Sequence, residues 1–202
     1  MPAIKQDEIG FGRIIWLGKN LARGQFSSDY HSLEIAEDGI KGDIYKGMWR
    51  EIASHDVDYI ETDGVAKGDP VLNLRQITVV DQSEVQQAGA LTGVTIERGM
   101  LRENIVVQFT PQSAGQKFSL LPPLSRMVIG DDNPKVLILT EENGPCRTIC
   151  QPMAVHFGSG SDLADMLRIN LTHRRGQMAM VRSGGVKDVR IGDTFTIFPP
   201  MT

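Results

Sequence analysis

The sequence predicts a mainly β protein (β + α), a small barrel of short strands with a few helices. Short runs rich in Val, Ile and aromatic residues recur at close spacing along the 202 residues, and clusters of Gly, Pro and Asp separate them. Few segments show the four-residue apolar repeat of an amphipathic helix. The length suits a single domain over residues 1–202, and a chain of this size can bury roughly 70% of its unfolded surface.

The first half of the chain is predicted to contain strands at 9–17, 31–36 and 74–80. Between them, the two glycines of Asp38-Gly39-Ile40-Lys41-Gly42-Asp43 predict a tight turn that needs positive φ or a close backbone approach. Residues 46–73 are acidic and irregular. We interpret this segment as a long loop or peripheral insertion, since loops of this length usually act as lids or mobile segments.

The second half begins with a helix signal. Asp81 precedes Glu84 at the spacing of a helix N-cap and an acid in the first turn, which predicts a short helix over 85–91. A second helix is predicted over 163–171, where Leu163, Leu167 and Leu171 form one stripe. The remaining short extended segments are predicted at 105–109, 118–121, 126–129, 136–140, 153–157, 177–182 and 194–198.

Composition narrows the functional classes. The net charge is −4 and no extensive basic stripe occurs, which argues against binding to duplex nucleic acid. The N-terminus lacks the apolar core of a signal peptide, and no stretch reaches the ~20 apolar residues of a membrane helix, so we expect a cytoplasmic protein without a membrane partner. The histidines show no metal-ligand spacing, so no zinc site is predicted. They are His31, His55, His156 and His173.

Cys146 is the candidate catalytic residue. It follows the apolar run 136–139 and the polar bend that ends at Pro145, so the thiol is expected at the mouth of a strand, with Arg147 next to it. A reactive thiol needs partial exposure and nearby positive charge. Cys146 could act as a nucleophile, a persulfide carrier or a soft metal ligand, or it could be an unreactive, half-buried cysteine. For Cys150 we favour a core thiol over a resolving partner that forms a disulfide with Cys146.

Several motifs occur in one order along the chain. They are Gly39-Ile40-Lys41-Gly42-Asp43, Arg75-Gln76-Ile77-Thr78-Val79, Gly99 with Arg102-Glu103-Asn104-Ile105, Pro145-Cys146, Arg175-Gly176 and Gly192-Asp193. The ordered set resembles the MOSC domain, named for the C-terminal part of molybdenum cofactor sulfurase, over nearly the whole chain. The resemblance implies a β-rich barrel with the cysteine at one open end. It departs at Tyr45, where small members often have a histidine, and in the length of segment 46–73.

The resemblance also implies a role in sulfur or molybdenum-pterin chemistry. Its members include sulfur-carrier domains and molybdenum-dependent reductases of N-hydroxylated compounds. Full sulfurases add a pyridoxal-phosphate cysteine desulfurase domain, for which this chain has no room. We therefore expect a stand-alone member that binds molybdenum cofactor (molybdopterin) or transfers sulfur through Cys146, with a separate cysteine desulfurase or redox partner. Whether it is a sulfur transferase, an oxidoreductase or a non-catalytic module for an anionic small molecule stays open.

Arginine side chains in these motifs are candidates for holding the phosphate or the pterin edge, because guanidinium offers a planar, always-charged fork to oxygen acceptors. The candidates are Arg75, Arg102, Arg147, Arg174 and Arg175. We favour Arg75 and Arg102 for the pocket and add Arg175 as a further anchor for the pterin phosphate, although Arg147 and Arg175 could equally be solvated surface groups. Three further residues complete the expected cofactor-binding set, and each has an alternative structural role at a turn. They are Glu103, Asn104 and Asp43. Cys146 is the candidate molybdenum ligand.

Overall fold

The computed structural model describes residues 8–52, 64–183 and 187–201. The strands are β1 Gly10–Lys19, β2 Ser28–Tyr30, β3 Ser32–Ala36, β4 Gly39–Ile40, β5 Trp49–Glu51, β6 Pro70–Leu72, β7 Ile77–Asp81, β8 Ile105–Pro111, β9 Arg126–Ile129, β10 Lys135–Glu142, β11 Gln177–Ser183, β12 Lys187–Arg190 and β13 Thr194–Phe198. The helices are α1 Gln82–Thr92, α2 Arg147–His156 and α3 Ser161–Leu171, with a 3₁₀ turn at Phe118–Leu120.

Seven of these strands form a closed barrel in the order β1-β13-β9-β10-β11-β7-β8, with β8 pairing again with β1. The neighbours are antiparallel except β7 and β8, which are parallel. A parallel pair needs a crossover connection, and α1 lies in the segment between β7 and β8. The predicted mainly β barrel with a few helices is confirmed. No helix in the described ranges is long and apolar enough to cross a membrane.

The apolar residues form two cores on opposite sides of the barrel wall. One fills the barrel and includes Ile14 and Leu17. The other lies between the wall and the helices and includes Trp16. A β-bulge separates these positions, because the pairing of β1 with β8 shifts register between Ile14 and Trp16. The extra residue reverses the alternation of side chains, so Trp16 points toward the helices and Leu17 returns to the interior.

The local turn and helix signals are confirmed. Asp81 caps α1 and accepts from the backbone N–H of Ser83 and Glu84. Gly39 and Gly42 have φ values of 112° and 83°, as expected for the tight turn. In segment 46–73, β5 and β6 pair as a hairpin, and residues 53–63 lie outside the described residues.

Two predicted strands are wrong. Residues 118–121 contain a 3₁₀ turn. Residues 153–156 form the C-terminal part of α2, which has Pro152 inside it, and Phe157 is the C-cap of the helix. A short apolar run does not distinguish a strand from a buried helix, and a proline inside a helix is unusual because it removes a backbone donor.

Candidate functional site

Cys146 lies at the junction between β10 and α2. The chain leaves β10 at Glu142, turns through Asn143-Gly144-Pro145, and reaches Cys146 as the N-cap residue of α2. Its thiol is exposed and its side chain makes no capping hydrogen bond. The first N–H groups of a helix have no intrahelical acceptor and carry partial positive charge. The exposed sulfur therefore sits in a position where negative charge is favoured.

Cys150 occupies a different environment, one helical turn further along α2. It is 1% exposed and belongs to the core between the barrel and the helices. Burial raises the pKa of its thiol to about 11. This is the core thiol that the sequence favoured.

Arg175 connects the two loops beside Cys146. Its guanidinium is buried and donates from Nη1 to the carbonyl oxygen of Gly144 at 2.6 Å and from Nη2 to that of Leu101 at 3.3 Å. Burial lowers the pKa of Arg175, and the negative form of Cys146 is the largest influence that raises it. The guanidinium of Arg175 and the sulfur of Cys146 are therefore close enough for their charges to interact. Its Nε is buried and has no hydrogen-bond partner within the described part of the chain.

Arg102 is held close to the start of α2. It is buried, has a positive φ of 57°, and donates from Nη2 to the carbonyl oxygen of Thr148 at 3.2 Å. In a regular helix that carbonyl accepts from the N–H four residues later, but that residue is Pro152, which has no N–H. Arg102 thus supplies the donor that Pro152 lacks, and Pro152 is the sequence signal that could have located this contact.

Glu103 lies in the same loop as Arg102 and is 2% exposed. Its Oε1 accepts from the N–H of Gly99 at 2.6 Å, while its Oε2 is buried and has no hydrogen-bond partner among the residues described. Burial raises its pKa to about 7, although backbone hydrogen bonds and the charge of Arg175 oppose the change. Near neutral pH this carboxyl therefore exchanges between its neutral and charged forms.

Asp43 and Asn104 belong to a buried hydrogen-bond network. Asp43 Oδ2 accepts from the backbone N–H of Asn20 and from Asn104 Nδ2, both at 2.7 Å, and its Oδ1 accepts from the N–H of Tyr45 at 2.8 Å. Asn104 Oδ1 accepts from the N–H of Thr78 on β7. These groups fix the Gly39–Asp43 turn and the loop before β8 against the barrel. Asp43 and Asn104 therefore both have the structural role at a turn that the sequence analysis gave as the alternative to cofactor binding.

Arg75 lies just before β7, and its Nε forms an ion pair with Glu141 on β10.

Four of the predicted residues come together elsewhere through the contacts and charges described above. We call them the Cys146 cluster. They are Arg102, Glu103, Cys146 and Arg175. Sequence reasoning missed the backbone carbonyls of Leu101, Gly144 and Thr148 that hold the arginines in place.

In the three described ranges of the chain, no group of three or more His, Cys, Asp or Glu side chains is placed to hold a metal ion. Cys146 on its own offers one soft ligand. A molybdenum ion at this position would need its other ligands from a cofactor.

The structure is similar to that of the YuaD protein from Bacillus subtilis, with a TM-score of 0.80 and 19% sequence identity, over 95% of this chain and 97% of that one. A second crystal structure, of a hypothetical protein, has a TM-score of 0.54 and 14% identity, over 94% of this chain and 69% of that one. A search of curated proteins finds no match. The family profile of the MOSC domain matches residues 61–196. Because this match spans most of the sequence, the chain belongs to the MOSC domain family.

Proposed function

We propose that this MOSC-domain protein binds molybdenum cofactor at the Cys146 cluster and carries sulfur for it, or ligates its metal, through Cys146. One observation supports this most directly. The buried Arg102 donates to the carbonyl of Thr148 in the first turn of α2, and the buried Arg175 interacts electrostatically with Cys146, the exposed thiol at the N-terminus of that helix. A buried charge is costly unless it is paired, and both arginines donate to neutral carbonyls.

The charges of the cluster fit an anionic group. The cluster contains two guanidinium groups and one carboxyl, that of Glu103, which is only partly ionised near neutral pH because of its raised pKa. Arg175 Nε is an additional donor without a described partner, and guanidinium binds phosphate and carboxylate oxygens well. Arg102 and Arg175 would hold the phosphate of the cofactor, and Cys146 would face its reactive part. When bound, the cofactor would supply the molybdenum centre.

As a sulfur carrier, Cys146 would act as a thiolate. Its Sγ would attack the terminal sulfur of a persulfide on a separate cysteine desulfurase. The sulfur–sulfur bond of the donor breaks, the donor leaves as a thiolate, and Cys146 becomes the persulfide, so the exchange needs no external oxidant or reductant. Arg175 would stabilise the negative charge on Cys146 before the attack. A cytoplasmic location, where thiols stay reduced, would suit this role.

A non-catalytic module for an anionic small molecule is the second candidate. The donors of Arg102 and Arg175 are fixed by backbone carbonyls, with no hydrogen bond from either to Cys146 among the contacts described. Such a preformed basic site could bind an anion without using the thiol. The two candidates differ in whether Cys146 is required.

Native mass spectrometry of protein purified from a cofactor-producing host tests the proposal. We expect the wild type to carry bound pterin or an added sulfur atom. Cys146→Ser should lose the added sulfur, while the matched control Cys150→Ser should retain it. A bare wild-type chain would contradict the proposal, and equal cofactor content with no added sulfur in wild type and Cys146→Ser would favour the binding module.

A further inference from the structure

A second concave site lies on the outer side of the barrel wall. It is a cleft of about 420 Å³ between β1, β8 and the region around α1, within the usual volume range of small-molecule sites. Apolar side chains of Trp16, Val80, Val85, Ile96 and Val106 form much of its wall. Cys146 is not among the lining residues.

Glu103 gives this cleft a specific polar group. It contributes to the lining, its side chain is 2% exposed, and its Oε2 has no hydrogen-bond partner within the described ranges. A buried acceptor without a partner is unfavourable, and more so when it is charged. A ligand in the cleft that donates an N–H to this oxygen would remove that cost.

The charged side chains around the cleft indicate the sign of the ligand's charge. Asp29 and Glu97 lie at the cleft together with Glu103, and Arg98 is the cation among the lining residues. Arg98 directs its guanidinium to the side-chain oxygen of Gln82 at 3.0 Å and to a backbone carbonyl, so its donors are turned to neutral acceptors. Asp29 accepts from the indole Nε1 of Trp16 at 2.7 Å. With Glu103 ionised, three carboxylates face one guanidinium.

We propose that this cleft binds a small, planar organic cation with amidinium-type N–H donors. The apolar part of the ligand packs against Trp16 and the aliphatic wall, and its N–H groups donate to Glu103 Oε2. Acidic groups at the cleft favour the positive charge and disfavour anions. The charge of this cleft is opposite to that of the Cys146 cluster, although Glu103 belongs to both. The proposal does not depend on molybdenum cofactor or on Cys146.

The binding must change with pH, because the carboxylate form of Glu103 is the better acceptor for a cation. The charged groups near Glu103 are Arg175 from the segment before β11, Arg98 and Glu97 from the connection between α1 and β8, and Asp29 from β2. Since the pKa of Glu103 is about 7, the ionised fraction rises about tenfold between pH 6 and pH 8. The affinity for the cation is expected to rise by a similar factor.

The test uses benzamidine as the probe, with neutral benzamide and anionic benzoate as controls. The chain has two tryptophans, so a ¹H–¹⁵N spectrum gives two indole signals, and Trp49→Phe assigns them. We expect benzamidine to shift the Trp16 signal in a saturable way, about tenfold more tightly at pH 8 than at pH 6. Benzamide and benzoate should bind at least about tenfold more weakly, the loss expected when one charged contact is missing.

Substitution identifies the acceptor. Glu103→Gln should weaken benzamidine binding about tenfold at pH 8 and remove its pH dependence, whereas Glu97→Gln at the exposed rim should change it by less than about threefold. If Glu103→Gln fails to fold, two measurements on the wild type test the proposal instead. They are the pH dependence of benzamidine binding and the comparison of benzamidine with benzamide. Equal binding of benzamidine and benzoate, tighter binding at pH 6, or unchanged binding in Glu103→Gln would overturn the proposal. Cys146→Ser should leave benzamidine binding unchanged, which separates this site from the proposed cofactor site.

Discussion

The buried carboxyl of Glu103 should make the stability of this protein fall as the pH rises. Its pKa changes from 4.5 to about 7 on folding, chiefly because burial disfavours the charged form. Between these values the folded state binds more protons than the unfolded state, so the free energy of unfolding decreases with increasing pH. The stabilising contribution of this group is present below pH 4.5 and is lost as the pH rises through about 7.

The size of the effect follows from the two pKa values. A change from 4.5 to about 7 corresponds to roughly 3 kcal/mol in total. Most of it, roughly 2–3 kcal/mol, falls between pH 5 and pH 8. Glu103→Gln removes the titrating group but keeps an oxygen that can accept from the N–H of Gly99. We therefore expect the variant to gain stability relative to the wild type as the pH rises from 5 to 8.

Urea unfolding at pH 5, 6, 7 and 8 measures this directly, because the extrapolated free energy can be compared at each pH. Glu97→Gln, at an exposed position in the same connection, is the matched control. Glu84 must be tested in parallel, since burial also raises its pKa and Ser119 opposes that change. If the free energy of unfolding falls by the same amount from pH 5 to pH 8 in wild type and in Glu103→Gln, the assignment of this pH dependence to Glu103 is refuted.

Three further predictions concern packing, the buried network and the thiols. Gly176→Ala would place a Cβ 2.0 Å from a carbonyl oxygen of β7 at a residue whose φ is 80°. It should lower the free energy of unfolding, measured in urea, by more than about 3 kcal/mol. The control Gly192→Ala is also at positive φ but has open space around it, so it should lower this free energy by about 1–2 kcal/mol. Asp43→Ala removes an acceptor shared by buried N–H donors and should lower the free energy of unfolding by about 3 kcal/mol; a loss below about 1 kcal/mol would contradict the described network. Iodoacetamide should label Cys146 in the folded protein and Cys150 only after denaturation, as read by peptide mass, because the first is exposed and the second is buried; comparable labelling rates in the folded protein would show that the two environments are misassigned.

The features that were predicted correctly from the sequence depend on residues that are close to one another along the chain. The N-cap at Asp81 and the leucine stripe of α3 are local signals, and both appear in the structure. The error at α2 has a tertiary cause. Pro152 normally argues against a helix interior, but the carbonyl of Thr148 that it leaves without a donor is satisfied by Arg102. That contact joins residues 46 positions apart in sequence, which no local pattern indicates.

The candidate site was accessible to sequence reasoning only in part. The motifs identified Cys146, Arg102, Glu103 and Arg175, and the structure places them in one cluster, but the role of each stays a prediction. Sequence could not indicate that Glu103 also lines a separate cleft. Glu103 lines the cleft because it is buried where β1, β8 and the region around α1 meet. Its burial and this packing both depend on contacts between segments that are distant in the sequence.

The pairing of β1 with β13 has a consequence for how the protein is made. These strands lie near opposite ends of the chain, and β13 also pairs with β9. During synthesis, these edges of β1 and β9 lack their partner until β13 emerges from the ribosome, because β13 is the strand that joins them in the completed barrel. Exposed strand edges recruit other chains. The nascent polypeptide therefore passes through a period in which it is open to aggregation, and the translation of β13 ends that period.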